Sequence, residues 1–456
     1  MGDYRLLSTS GILGYGYPEE SLERGIEMGV DMLGVDGGSV DPGPHYLGSG
    51  KTLNSRLAMK RDIRLMLRAA VKHNIPVTVG TCGGAGGEPH LEVMADIVRE
   101  IAREDGLSFK MATIHAEQDK AWVKKQLEAG TVKPMRNVPP LDAETVDKSE
   151  RIVGCMGTEP YMEALDQGAL VVLGGRSTDP APFAACAMRA QTEAAPAWYA
   201  GKMLECAGAG AWPKAHDCMH VTITEDGGVI CESPNPIRYC TPESVANQSL
   251  HENSSPTIFQ EPGGVLDASD CVFEAVSDRA TRISGMKWLP DDKYTVKIEG
   301  AELIGYRAIT ICGTRDPVLI EGYDNYIGIV RENIAQKAEG LGFAPDSYHL
   351  NFRTYGRDGV MAEREPLSTT PGHELGILVE VIADDQEAAN AVLAVARVNT
   401  MHNDFPGRLC KEGNMAFPFS PSDIECGPAY RFNVYHIVEP KTPTEMFPID
   451  YEDVRG

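Results

Sequence analysis

At 456 residues, with 42% hydrophobic and 24% charged side chains, the chain is long enough to fold around its own cores as two or three domains. Its 66 acids against 42 bases give a formal charge of -24, which repels polyanions and sets nucleic acid aside as a partner. No apolar run reaches the roughly 20 residues of a membrane span. The start MGDYRLLSTSG carries no signal-peptide pattern, and Leu6 breaks the myristoylation pattern; the 11 cysteines include no CxxC pair and suit reduced thiols, so a cytoplasmic protein is expected.

In chain order, residues 4–8, 30–36, 75–80, 109–114, 151–155 and 169–174 are short apolar or β-branched runs, each predicting a buried strand. Helical spacing lies between them. Ile63, Met66, Leu67, Ala70 and Val71 keep one apolar face, as do Met94, Ile97, Val98 and Ile101. Strands alternating with helices predict an α/β domain over 1–210 with a mainly parallel sheet flanked by helices. Residues 211–300 turn β-rich: HVTITEDGGVICES predicts a hairpin about Asp226, Gly227 and Gly228, and Thr241 before Pro242 opens a short helix. Strands at 304–313, 348–355, 375–383 and 431–438, with helices at 323–340 and 386–400, predict a ferredoxin-like α+β part over 301–445. The long connections 356–374 and 401–430 sit awkwardly in that order. Residues 446–456 read as a loosely packed tail.

In an open parallel sheet, ligands bind beyond the carboxyl ends of the strands. The residues just past the predicted strands are Thr9 and Ser10; Asp36, Gly37 and Gly38; Cys82, Gly83, Gly84 and His90; His115 and Glu117; then Arg176, Ser177, Thr178 and Asp179. The glycines would let backbone approach a ligand, and the mouth of the helix after VVLGGRSTDP favours an anion. Ser177, Thr178 or Asp179 could equally cap that helix, and Arg176 could equally pair with a neighbouring carboxylate. Cys82 is a nucleophile candidate, and Asp36 with His90, extended by His115 and Glu117, is a candidate set for a divalent metal.

Other motifs fail on spacing. GSGKT at 48–52 has His45 where a phosphate loop needs glycine, and GILGYGY and TCGGAGG lack the dinucleotide fingerprint. His216, Cys218 and His220 alternate as a strand would, a pattern that ordinarily packs.

Four segments carry a resemblance: the glycine-rich start after the first strand, TCGGAGGEP, IVGCMGTEPYMEALDQGALVVLGGRSTDPAPFAA, and ICESPNPIRYCTPESVANQSLHENSSPTIFQEPGGVLDASD. Over most of residues 5–290 the chain resembles the acyclic terpene utilisation AtuA-like family. The resemblance implies a catabolic setting for terpenoid acyl-CoA or small organic acids, often beside a small ferredoxin-fold partner, with Arg176 and Asp179 as shared motif residues.

The expectation is therefore a lyase, of hydro-lyase type, acting on a small carboxylate or its CoA thioester. Arg176 holds the carboxylate with Ser177, Thr178, Thr9, Ser10 and the glycine-loop amides around it. His115, Glu117, Asp179 and Cys82 form the catalytic group. A homo-oligomer is expected. The alternative is a non-catalytic subunit that docks a partner enzyme.

Overall fold

A computed structural model describes residues 2–251, 255–367, 372–409 and 414–456. The chain divides into two compact units, Met1–Glu302 with Phe432–Gly456, and Leu303–Arg431. Two long strands, Val296–Thr314 and Asp423–Val438, supply residues to both.

In the first unit, Tyr4–Ser8, Met32–Asp36, Val77–Gly80, Val171–Gly174 and Phe109–Ile114 lie side by side in that order, all parallel. Their near-continuous apolar runs suit a sheet covered on both faces. Alternation decides which face each residue serves. Leu6, Met32 and Val172 enter one core, while Leu7, Leu33, Val171 and Leu173 enter the other. The second core is closed by two helices. Arg56–His73 starts at Ser55, whose hydroxyl accepts the Ala58 amide, and buries Ile63, Met66, Leu67 and Ala70; Glu88–Asp105 buries Met94, Ile97, Val98 and Ile101. Each stops at a residue in the left-handed region, Asn74 and Gly106.

Three expectations change here. The hairpin Met219–Ile223 and Val229–Glu232 forms about Gly227, but it pairs onto Tyr4–Ser8 and extends the same sheet instead of making a separate middle segment. The strand Ser149–Cys155 leaves the parallel sheet and pairs antiparallel with Lys297–Glu302, so apolar content identified the strand but not its partner. The supposed tail is an edge strand: Ile449–Val454 pairs antiparallel with Phe109–Ile114, and Met446 and Phe447 are buried before it. A small three-stranded sheet, Ile258–Glu261, Gly264–Asp267 and Lys287–Pro290, completes the unit's β structure relevant to the site.

The second unit has the ferredoxin-like order. Its strands lie as Tyr348–Tyr355, Leu375–Ala383, Val296–Thr314 and Asp423–Val438, the fourth strand in sequence beside the first and the third beside the second. Helices Tyr323–Gly340 and Gln386–His402 pack Tyr326, Val330, Ile334, Val392 and Leu393 with Ile377, Val379 and Val381. The connection expected at 401–430 is shortened because the last strand begins at Asp423. Residues 368–371 and 410–413 of the two long connections lie outside the described residues.

Candidate functional site

The five parallel strands end along one edge, where their loops interlock. The Gly37 amide donates to the Gly80 carbonyl at 2.7 Å. Gly38 takes φ 139°, and a Cβ there would stand 2.6 Å from the Cα of Gly84; a Cβ on Gly86 would stand 2.2 Å from the Arg176 nitrogen. Gly37, Gly38, Gly83 and Gly84 are thus occupied in bringing loops together, where the sequence suggested ligand approach. Thr81, at φ 36°, is locked into this crossing as its hydroxyl donates to the Ser177 carbonyl at 3.2 Å and accepts the Ser177 amide at 3.3 Å.

Arg176 stands at the centre of the edge, with only 5% of its side chain exposed. Its Nε donates to Glu299 at 2.9 Å; its Nη1 donates to the Ser177 carbonyl at 2.9 Å and faces Asp179 at 3.4 Å. Lys297 reaches the other oxygen of Glu299 at 2.8 Å. Burial works to raise the Glu299 carboxyl, but the two cations overcome it and hold the group down at about 2. Both alternatives read from VVLGGRSTDP are partly resolved by this. Arg176 is ion-paired, and no side chain caps the helix Ala181–Arg189, so Asp179 is not used as a cap.

Two adjoining cavities open here. One of about 410 Å³ is lined by Arg176, Thr178, Lys202, Glu261 and Lys297; the other, of about 520 Å³, by Ile12, Tyr15, Asp36, Cys206 and Ala209. Ser39, Asp41, Asp179 and Glu205 line both. Burial pushes four carboxyls upward in this space. Glu261 rises to about 7 and Glu205 to about 8, each helped by Asp179, with Lys202 opposing. Asp36 rises well above the usual carboxylate range, again through burial and then Asp179. Asp179 itself is raised by burial against the pull of Arg176. Lys202 forms an ion pair with Glu205 and donates to the His251 carbonyl at 2.9 Å. Three buried oxygens have no hydrogen-bond partner: Asp36 Oδ1, Thr178 Oγ1 and Glu261 Oε2.

The other predicted residues stand elsewhere. Thr9 and Ser10 are fully buried, their hydroxyls turned to the Met66 sulfur at 3.4 Å and the Ile12 carbonyl at 2.9 Å. Ser177 accepts the Tyr161 hydroxyl at 3.2 Å beneath the site. Cys82 is fully buried, and burial pushes its thiol far up, the opposite of an activated nucleophile. His115 lies in a separate groove, between Glu88 at 2.8 Å and Asp450 at 3.2 Å, and the Glu88 carboxylate raises its pKa. Glu117 accepts the Glu88 amide at 2.9 Å, anchoring the first turn of the helix Glu88–Asp105. His90 Nε2 is taken by the carbonyls of Tyr46 and Lys51, at 3.1 and 3.0 Å, and burial lowers its pKa. The set proposed for a divalent metal is therefore not assembled: among the described residues, no group of three or more His, Cys, Asp or Glu is placed to hold an ion.

The residues that do converge, Lys202, Glu205, Glu261, Lys297 and Glu299, were missed. Two signals existed. AAPAWYAGKMLE is buried on all sides, so a lysine and a glutamate three apart within it must pair or work. In VKIE, alternation buries Val296 and Ile298 on one side and puts Lys297 with Glu299 on the other.

No helix among the described residues is long and apolar enough to cross a membrane. A sequence model described as acyclic terpene utilisation family protein AtuA matches residues 57–416. No curated protein and no solved structure gives a significant match.

Proposed function

Because the chain belongs to the acyclic terpene utilisation AtuA family, we propose that it is a catabolic lyase, of hydro-lyase type, acting on a small carboxylate or its CoA thioester. One observation carries the reading: carboxyls with pKa values raised towards neutrality face buried cations across a cavity at the carboxyl ends of parallel strands.

Arg176 and Lys297 would receive the substrate carboxylate, and Glu261, near 7, would be partly ionised at neutral pH and take the proton from the adjacent carbon. The electron pair of that C–H bond forms an enolate held by the same two cations. The enolate then expels the hydroxyl from the next carbon. Asp179, on the wall shared by both cavities, supplies the proton with which it leaves as water. A second reading, a subunit that docks a partner enzyme, is favoured by the unit Leu303–Arg431, which buries no acidic or basic side chain among its described residues.

The test is solvent deuterium exchange into a panel of small hydroxy acids, enoates and CoA thioesters. The purified protein should exchange the hydrogen beside the carboxylate, with a rate rising through about pH 7. Glu261→Gln should slow it by about a hundredfold or more. Exchange that is absent in the native protein, or equal in the variant, rejects the assignment.

A further inference from the structure

Three cations, Arg176, Lys202 and Lys297, line the cavity of about 410 Å³, and the proton-transfer scheme above employs two of them. Lys202 is left over. It stands in Ala194–Leu204, a helix buried on all sides, and is only 5% exposed, a costly place for an ammonium group. Its charge acts on Asp179 and Glu261 as well as on Glu205, so the ammonium lies among the carboxyls of the cavity wall.

Neither the donors nor the charges of these cations are used up. The Lys202 ammonium has three N–H groups, of which Glu205 and the His251 carbonyl take two. Lys297 gives one of its three to Glu299, and Arg176 donates to described residues through Nε and Nη1 but not through Nη2. Among the carboxyls, Glu299 is held ionised at about 2, whereas burial raises Asp36, Asp179, Glu205 and Glu261, the last two to about 8 and about 7. At neutral pH Lys202 therefore faces a partner that is mostly protonated. Asp41, at an exposed position on the wall, is solvated and offsets little. The interior of the site thus carries three cations against one firmly charged carboxylate, an excess that a single substrate carboxylate answers only by half.

We infer that the substrate is a small hydroxy dicarboxylate, with one carboxylate on Arg176 and Lys297 and the other on Lys202. This rests on the proposed function in placing the first carboxylate, and it keeps that chemistry: the hydroxyl stands on the carbon next to the one that gives up its proton, so water can leave. The second carboxylate takes the spare Lys202 N–H as a charge-assisted hydrogen bond and balances the remaining charge. A cavity of about 410 Å³ is of ordinary size for a small-molecule site.

Calorimetric binding to the purified protein at neutral pH tests this with pairs that differ only in a carboxylate replaced by a methyl group: malate against 3-hydroxybutyrate, citramalate against 3-hydroxy-3-methylbutyrate, and 3-hydroxyglutarate against 3-hydroxyvalerate. The dicarboxylate should bind roughly ten- to a hundredfold more tightly in at least one pair. Lys202→Gln should bring that ratio below about threefold while leaving the monocarboxylate within about twofold of its native affinity. Should that buried substitution prevent folding, Glu205→Gln, which puts a neutral amide where the carboxyl is already mostly protonated, should keep the preference. No binding by any dicarboxylate, equal or tighter binding of the monocarboxylates, or a preference that survives Lys202→Gln or disappears in Glu205→Gln overturns the inference. The proposed function fails separately, as missing deuterium exchange in ligands that bind, whereas this inference fails as a pair ratio near one whether or not exchange occurs.

Discussion

The two units bury different things. In the first, Asp36, Arg176, Lys202, Glu205, Asp217 and Glu299 are all buried ionisable groups. In Leu303–Arg431, the buried polar residues among those described are Thr310, Thr314, Thr354, Asn399 and Thr400, none of them ionisable. Even its buried tyrosines settle on neutral partners, Tyr323 on the Thr354 hydroxyl at 2.6 Å and Tyr326 on the Thr400 carbonyl. Burying a charge is expensive, and an apolar core of similar volume is as stable or more so. A ferredoxin-like core with no such charges shows what packing alone requires. The charges of the first unit therefore call for a reason beyond packing; for those lining the cavities at the strand ends, the proposed proton transfer would be that reason.

The largest expected effect tests that contrast directly. Glu299→Gln leaves Arg176 and Lys297 in a buried place without their carboxylate. A buried pair broken on one side typically costs about 3 to 5 kcal/mol. Urea unfolding should show a loss of that size, in contrast to the small effect expected of an exposed ion pair. A loss under about 1 kcal/mol would mean that water reaches these groups and that they are not a buried cluster.

Next in size is a pH effect of opposite sign at two glutamates of the same unit. Glu299 is held down to about 2, below its ordinary 4.5, so its contribution is present above about 4.5 and is lost as the pH falls towards 2. Glu261 is raised from 4.5 to about 7, and the unfolded chain therefore gives up that proton first. Its contribution is whole below about 4.5 and disappears as the pH climbs through 7, a change of roughly 3 kcal/mol. Glu261→Gln should flatten the fall in stability between those pH values. If the variant and the native protein lose stability in parallel over that range, Glu261 is not desolvated and the proton-transfer assignment falls with it.

The legible part of the molecule was the part governed by local periodicity. Val171 and Leu173 on one face and Val172 on the other follow from alternation alone, and the ferredoxin-like order follows from the sequence of elements. Partner choice did not follow. Ser149–Cys155 is as apolar as its neighbours, yet pairs with a strand some 150 positions later, and Ile449–Val454, more polar, still closes the sheet edge. The site was half legible for the same reason. Arg176 and Asp179 follow a parallel strand directly, where ligand sites are expected, whereas Glu205, Glu261 and Lys297 come from a helix and two antiparallel strands whose approach only the tertiary fold defines. His115 and Glu117 also follow a parallel strand, but towards the sheet edge, where Asp450 and Glu88 occupy them.

The smallest expected effect tests the other half of the comparison. In the ferredoxin-like unit, Arg357 pairs with Asp324 at 2.5 Å, closer than Arg176 stands to Glu299, but Asp324 is 80% exposed. Water already solvates that carboxylate in the folded chain, so removing its charge exposes no unpaired group to a low dielectric. Exposed pairs of this kind are worth under about 1 kcal/mol, and less as salt is added. Asp324→Asn should accordingly shift the urea midpoint slightly, lose even that shift in high salt, and leave deuterium exchange and ligand affinity untouched. A loss approaching that of Glu299→Gln would show that distance alone sets the strength of these pairs. Reduced exchange with unchanged stability would bring the ferredoxin-like unit into the chemistry, against the separation of roles that the buried charges indicate.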